Sequence, residues 1–229
     1  MYQDSQQPTI LGPLSVYGVL ALAGIIAPII FIITNLITAF SSYPEYKFIR
    51  DSISSLALTP LGWVQTIGFM IMGLLIEVFI IGLILSVRGG CINIDWKFRL
   101  GTFILGIFGF GLLLTGAFRT DPTGVLHTLE GTIHRIAAGV AFWLFPIATL
   151  LIAPCLRKQP FWKDLFLYTI IAGVVALALL IVGVWLPSEW SWFGLYERIL
   201  TLDELMWVEM MAVWLLRLSL RRVKKLETQ

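Results

Sequence analysis

Both histidines of the chain fall in one stretch, Asp121-Pro-Thr-Gly-Val-Leu-His127-Thr-Leu-Glu130-Gly-Thr-Ile-His134-Arg135. Imidazoles beside carboxylates are the side chains of acid/base work near neutral pH. On one continuous helix Glu130 lies about 60° from His127, and His134 returns to within about 20° of it, so all three share a face. Glu130 and His134, four residues apart, are spaced for the carboxylate to orient the imidazole and raise its basicity. Asp121 can supply a third group from the preceding loop. The catalytic expectation is therefore His134 as acid/base, with Asp121 or Glu130 orienting it. On such a helix the two imidazoles stand about 10 Å apart, too far to share one metal ion. A zinc site would need the helix to begin after His127 and the loop to fold back, so metal binding stays open. The plainer account is a polar helix entrance: Asp121 capping a turn, Glu130 favoured by the helix dipole, Arg135 paired with an acid. That account suits His127 best. An ionisable group one or two turns into an apolar span, as His134 is, is costly unless used or paired.

Two other segments carry candidate ligand-binding groups. Asp51-Ser52-Ile53-Ser54-Ser55-Leu56-Ala57 offers hydroxyls and a carboxylate just before an apolar run. A serine with a distant histidine base is a nucleophile arrangement, although no GxSxG elbow occurs here. The alternative is that Asp51 or a serine caps a short interfacial helix. Glu197 and Arg198 form the third polar set, and pairing with each other or with Asp203 accounts for them equally. The expected ligand-binding residues are Asp51, Ser54, His127, Glu197 and Arg198.

The elements that must position these groups follow from composition. Of 229 residues, 58% are hydrophobic and 13% charged, and the mean hydropathy is +0.89. Soluble domains carry about 25% charged residues, so this is an all-α, multi-pass membrane protein. Six stretches approach the roughly 20 apolar residues that a span needs: 14–40, 61–87, 100–118, 130–156, 165–186 and 205–220. The last is short and contains Glu209. If all six cross, eleven Lys and Arg fall in the connections on the side of both termini and five on the other. The positive-inside rule then puts both termini in the cytoplasm and all three polar segments outside. Trp63, Trp185, Trp190 and Trp192 fall where an outer aromatic belt would lie. Five glycines in the third stretch supply faces for close helix approach, and Pro28 is placed to kink the first.

The chain reads as one membrane domain over 1–229, without repeats or a soluble module. A net charge of +2 with dispersed basic residues excludes a nucleic-acid partner. Cys91 and Cys155 fit neither a CxxC motif nor a metal spacing, and both fall toward the cytoplasmic side, where thiols stay reduced. Residues 1–7 carry no basic leader, so the first apolar run reads as a retained span. Glu77 and Glu209 lie inside spans and must be protonated, paired or turned to a polar interior.

In combination, Asp51-Ser-Ile-Ser54-Ser-Leu-Ala, Gly-Ala-Phe-Arg-Thr-Asp121-Pro, Gly131-Thr-Ile-His134 and Gly194-Leu-Tyr-Glu197-Arg198-Ile resemble the DUF998 family of multi-pass membrane proteins. The resemblance spans nearly the whole chain. It places the family's motif serine on Ser54, its loop aspartate on Asp121, its helix histidine on His134 and its Gln/Glu-Arg pair on Glu197 and Arg198. Ser55 stands where the family usually has an acidic residue, and Ala57 where it has glycine. The resemblance implies about six helices and a prokaryotic cell membrane, and no established reaction or cofactor.

The functional expectation is an outward-facing polar pocket that binds, and as a hydrolase or transferase modifies, a lipid or lipid-linked headgroup. Membrane lipids are the expected partners. The alternatives are a small-solute or ion permease using Glu77 and Glu209, and a non-catalytic assembly or sensor protein.

Overall fold

The computed structural model describes residues 16–88, 95–122, 127–186 and 190–227, with side chains to 221. Cys91 and the 1–7 segment lie outside the described residues. Six α-helices follow one another: α1 (Val16–Ser41), α2 (Gly62–Arg88), α3 (Trp96–Ala117), α4 (Leu129–Lys158), α5 (Phe166–Val184) and α6 (Phe193–Glu227). A 3-10 turn, Ser54–Leu58, precedes α2, and a second, Lys163–Leu165, leads into α5.

Each helix packs on its neighbours in sequence, and α6 closes the ring on α1 and α5 while also touching α2. Five helices are long and apolar enough to cross a bilayer, each with an apolar face left exposed. A helix that is apolar on its outer face as well as its inner one requires lipid around it. The molecule is an integral multi-pass membrane protein.

The sixth apolar stretch, read as 205–220, is part of a much longer helix. The 35 residues of α6 include Glu197, Arg198, Asp203, Glu204 and Glu209, which mask its length from a hydropathy reading. Similarly α3 starts at Trp96 rather than Leu100, because the Asp95 carboxylate accepts the Lys97 N–H at 3.2 Å and caps the helix.

The core runs down the bundle axis through Phe79, Phe108, Phe145 and Trp207, all essentially inaccessible. Phe145 meets Phe108 with centroids 5.4 Å apart and Trp207 edge-on at 5.6 Å. Close approach of α2 to α3 depends on Gly73, where a Cβ would sit 2.8 Å from the Gly109 carbonyl oxygen and the Leu113 nitrogen. In α1 the hydroxyls of Thr34 and Thr38 donate to carbonyls four residues earlier, which hides them from the apolar surroundings.

Candidate functional site

All three polar segments of the sequence meet at one end of the bundle, where α1, α3 and α5 finish and α2, α4 and α6 begin. The segment between α1 and α2 folds over this end and is tied to it by main-chain bonds. Arg198, buried in the first turns of α6, donates to the carbonyls of Phe48 (2.8 Å), Asp51 (3.1 Å) and Gly194 (2.9 Å), and to the Tyr46 hydroxyl. Its guanidinium also stacks 3.9 Å from the Phe48 ring centroid. Tyr46 passes its own proton to the carbonyls of Ser52 (2.9 Å) and Asp51 (3.1 Å). Burial pushes the Tyr46 phenol up to about 12, against the pull of Arg198, so it stays a donor.

Two further side chains fix the 3-10 turn. The Ile53 N–H donates to Glu197 Oε2 at 2.6 Å, and Arg119, at the end of α3, donates to the Ala57 carbonyl at 2.7 and 3.1 Å. Ile53, Leu56 and Ala57 are buried beneath the turn. Ser54 is thereby held at a set position, half-buried, as its first residue.

His134, 4% exposed, faces Ser54 from the second turn of α4. Its Nδ1 lies 2.9 Å from both the Thr115 and the Phe118 carbonyl oxygens, and its Nε2 lies 2.9 Å from Ser54 Oγ. Carbonyls only accept, so in the neutral imidazole Nδ1 carries the proton and Nε2 accepts the Ser54 hydroxyl. The two carbonyls belong to the last turn and cap of α3, where helical carbonyls lack intrahelical partners. A serine hydroxyl on a neutral, oriented imidazole is the geometry of an activated nucleophile.

The carboxylates expected to orient His134 do other work. Helix α4 begins at Leu129, with Thr128 as N-cap accepting from the Gly131 N–H at 3.0 Å. His127 therefore precedes the helix, and the shared face of His127, Glu130 and His134 does not exist. Glu130 sits exposed in the first turn, where the helix dipole favours it. Asp121 accepts from the Thr128 hydroxyl (2.6 Å) and N–H (3.0 Å), with His127 Nδ1 3.7 Å away. The Thr128 hydroxyl bond, reinforced by the amide and by His127, holds the Asp121 carboxyl below the usual carboxylate range. Arg135 reaches His127 Nε2 at 3.2 Å. Asp51 is likewise held low: partial burial opposes ionisation, but Arg50 at 2.6 Å and the Lys47 N–H at 2.6 Å outweigh it.

An open cavity of ≈ 430 Å³ is lined by Ser54, Asp121, His127, His134 and Glu197. Of the expected pair Glu197 and Arg198, Glu197 lines this cavity, whereas Arg198 turns to the Tyr46 hydroxyl and the carbonyls of Phe48, Asp51 and Gly194. No ion pair joins Glu197 to Arg198 among the described residues. Adjoining the open cavity is a smaller chamber of ≈ 20 Å³, room for about one water. Ser54, Ala138, Phe142 and Glu197 line both spaces, so the serine stands at the boundary between them. The chamber is walled by Phe69, Met72, Phe108 and Leu112, and Thr115, Thr201 and Glu204 join Ser54 and Glu197 as its polar members. Thr201 Oγ1 and Glu204 Oε1 are buried without partners. Thr201 and Glu204 were not anticipated, although Glu197, Thr201 and Glu204 recur at the helical spacing i, i+4, i+7 that marks one face.

Glu77 lies elsewhere, its carboxyl packed where a Cβ on Gly109 would come within 2.5 Å of Oε1. Neither Glu77 nor Glu209 lines the two spaces around Ser54. Among the described residues, no group of three His, Cys, Asp or Glu side chains is placed to hold a metal ion.

The family model described as a protein of unknown function, DUF998, matches residues 25–214, which takes in every segment of this site. The chain belongs to the DUF998 family. Searches of curated proteins and of solved structures return no match. In this DUF998 protein the match begins within α1 and ends within α6, so each of the six helices lies wholly or partly inside it.

Proposed function

We propose that this DUF998 protein is a membrane-embedded serine hydrolase or acyltransferase acting on an ester of a lipid or lipid-linked headgroup, with its site facing outward. The observation that carries this reading is the bond from Ser54 Oγ to His134 Nε2, with Nδ1–H fixed by the end of α3. Ser54 Oγ attacks the ester carbonyl while its proton passes to His134 Nε2. Collapse of the tetrahedral adduct breaks the bond to the alcohol, which leaves with that proton. Water or a second alcohol, deprotonated by the same nitrogen, then attacks the acyl-serine; the acid or new ester departs, and the proton returns to Ser54 Oγ. The open cavity with Asp121, His127 and Glu197 suits a polar headgroup. A sixth span formed by α6, both termini cytoplasmic and a prokaryotic cell membrane complete the reading, supported by the basic-residue asymmetry and the family resemblance.

The test is covalent labelling by an alkyl fluorophosphonate in native membranes. The wild type should carry the adduct on Ser54, Ser54→Ala should carry none, and His134→Ala should label at least about 10²-fold more slowly, the usual worth of a general base. Both variants should keep the wild-type unfolding temperature to within a few degrees. Absence of a Ser54 adduct in folded wild type, or variants that lose stability while the labelling rate is unchanged, would reduce the bond to a structural tie between α4 and the turn.

A further inference from the structure

We infer that the acyl chain of an ester-bearing membrane lipid reaches Ser54 sideways from the bilayer, through a groove between α1 and α6. This route rests on the acyl-transfer reading above and names where its substrate's tail lies. The groove has a volume of ≈ 150 Å³. Its rim is formed by Ile32, Leu36 and Leu202, apolar side chains exposed on the outer surface of the ring at 37%, 37% and 44%. Its floor is formed by Ile53, Thr201 and Leu205, and these same three residues wall the small chamber that Ser54 also lines. One layer of side chains thus separates the outer surface of α1 and α6 from the serine.

The groove is not uniformly apolar. Asn35 and Arg198 line it, each 6% exposed, and Asn35 Nδ2 and Arg198 Nε have no hydrogen-bond partner. Two buried donors without acceptors are costly in an apolar wall. The occupant that relieves them must be slender, apolar along its length and equipped with acceptor oxygens but no need for donors. A lipid ester meets that description: its carbonyl lies at the depth where the polar end of a span meets hydrocarbon, and its chain continues along the exposed rim. A second copy of a helix is the poorer fit, because close helix pairing in lipid favours small residues, whereas this rim is Ile and Leu. The headgroup would then occupy the open cavity on the far side of Ser54, and the side chains of Ile53, Thr201 and Leu205, which part the groove from the chamber, would have to move aside for the ester to reach Ser54.

The experiment uses phosphatidylcholine nanodiscs containing a trace of phosphatidylcholine with a diazirine in one acyl chain, irradiated and mapped by mass spectrometry. It is run on the wild type and on Ser54→Ala, in which no turnover can consume the probe. Adducts should concentrate on 32–36 and 202–205 relative to Ile171 and Val174 of α5, which are more exposed than the groove rim. Asn35→Leu should lower groove labelling about tenfold, the loss expected for one hydrogen bond, without lowering thermal stability. Leu36→Trp should lower it as well by filling the rim. Labelling spread evenly around the ring, or confined to residues of the open cavity, would overturn the lateral route, as would a Leu202→Cys disulfide dimer that excludes the probe. Because Ser54→Ala serves as the labelled protein, groove labelling is read independently of the fluorophosphonate result. A Ser54 adduct without groove labelling removes the route alone, and groove labelling without a Ser54 adduct removes the acyl-transfer chemistry.

Discussion

At the scale of single residues, the same side-chain types that suggest catalysis sit in different settings. His134 keeps its Nε2 lone pair for Ser54 because its other nitrogen is committed to carbonyls, whereas Asp121 spends both oxygens on the entrance to α4. That division gives a pH prediction. The Asp121 carboxyl lies below its ordinary value in the folded protein, chiefly through the Thr128 hydroxyl. A depressed carboxylate contributes stability that is fully present above its unfolded value of about 3.9 and is lost as pH falls through the lower folded value. Exchange of the Thr128 and Gly131 amides, corrected for intrinsic rates, should therefore stay slow down to about pH 4 and accelerate only below it. Asp121→Asn should exchange at one rate across the same range. An Asp121 variant that abolishes fluorophosphonate labelling while leaving these amides protected would return Asp121 to the catalytic role expected from sequence.

At the scale of elements, the site is precise because its supports are helix ends in close packing. The carbonyls that orient His134 are placed by α3, and α3 is placed by its contact with the glycine face of α2. A Cβ at Gly73 would meet main-chain atoms of Gly109 and Leu113 at 2.8 Å, atoms that cannot swing aside. Gly73→Val should therefore cost about 1–3 kcal/mol through overpacking, read as a lower unfolding temperature in detergent, and should slow Ser54 labelling as α3 shifts. Gly139→Ala is the control: nothing lies within 4 Å of the added atom, and alanine in a helix interior gains about 0.5–1 kcal/mol over glycine. A Gly73→Val protein as stable and reactive as wild type would show that the α2–α3 spacing does not set the site.

At the scale of the whole molecule, orientation decides which compartment the open cavity meets. Eleven basic residues toward the end of the bundle that holds the termini against five toward the end that holds the site predict an outward-facing site. In whole cells, a cysteine at Ser191 should react with an impermeant thiol reagent, and one at Lys158 should react only after permeabilisation. The reverse pattern would turn the site inward.

The sequence by itself determined the class of molecule, the helices and the end at which the polar groups gather, because apolar run length and polar breaks are local properties that survive in one dimension. Ser54 and His134 could both be picked out as polar groups at helix ends. Tertiary structure alone decided that they touch, since the two residues are 80 apart and no periodicity connects one helix to another. It also replaced the expected carboxylate with the Thr115 and Phe118 carbonyls, which no sequence pattern can mark because every residue carries one. Finally, of the two expected neighbours it kept Glu197 in the cavity and took Arg198 out of it: adjacent residues on a helix point about 100° apart, and only the packing of α6 against the segment between α1 and α2 fixed which of the two would line the space beside Ser54.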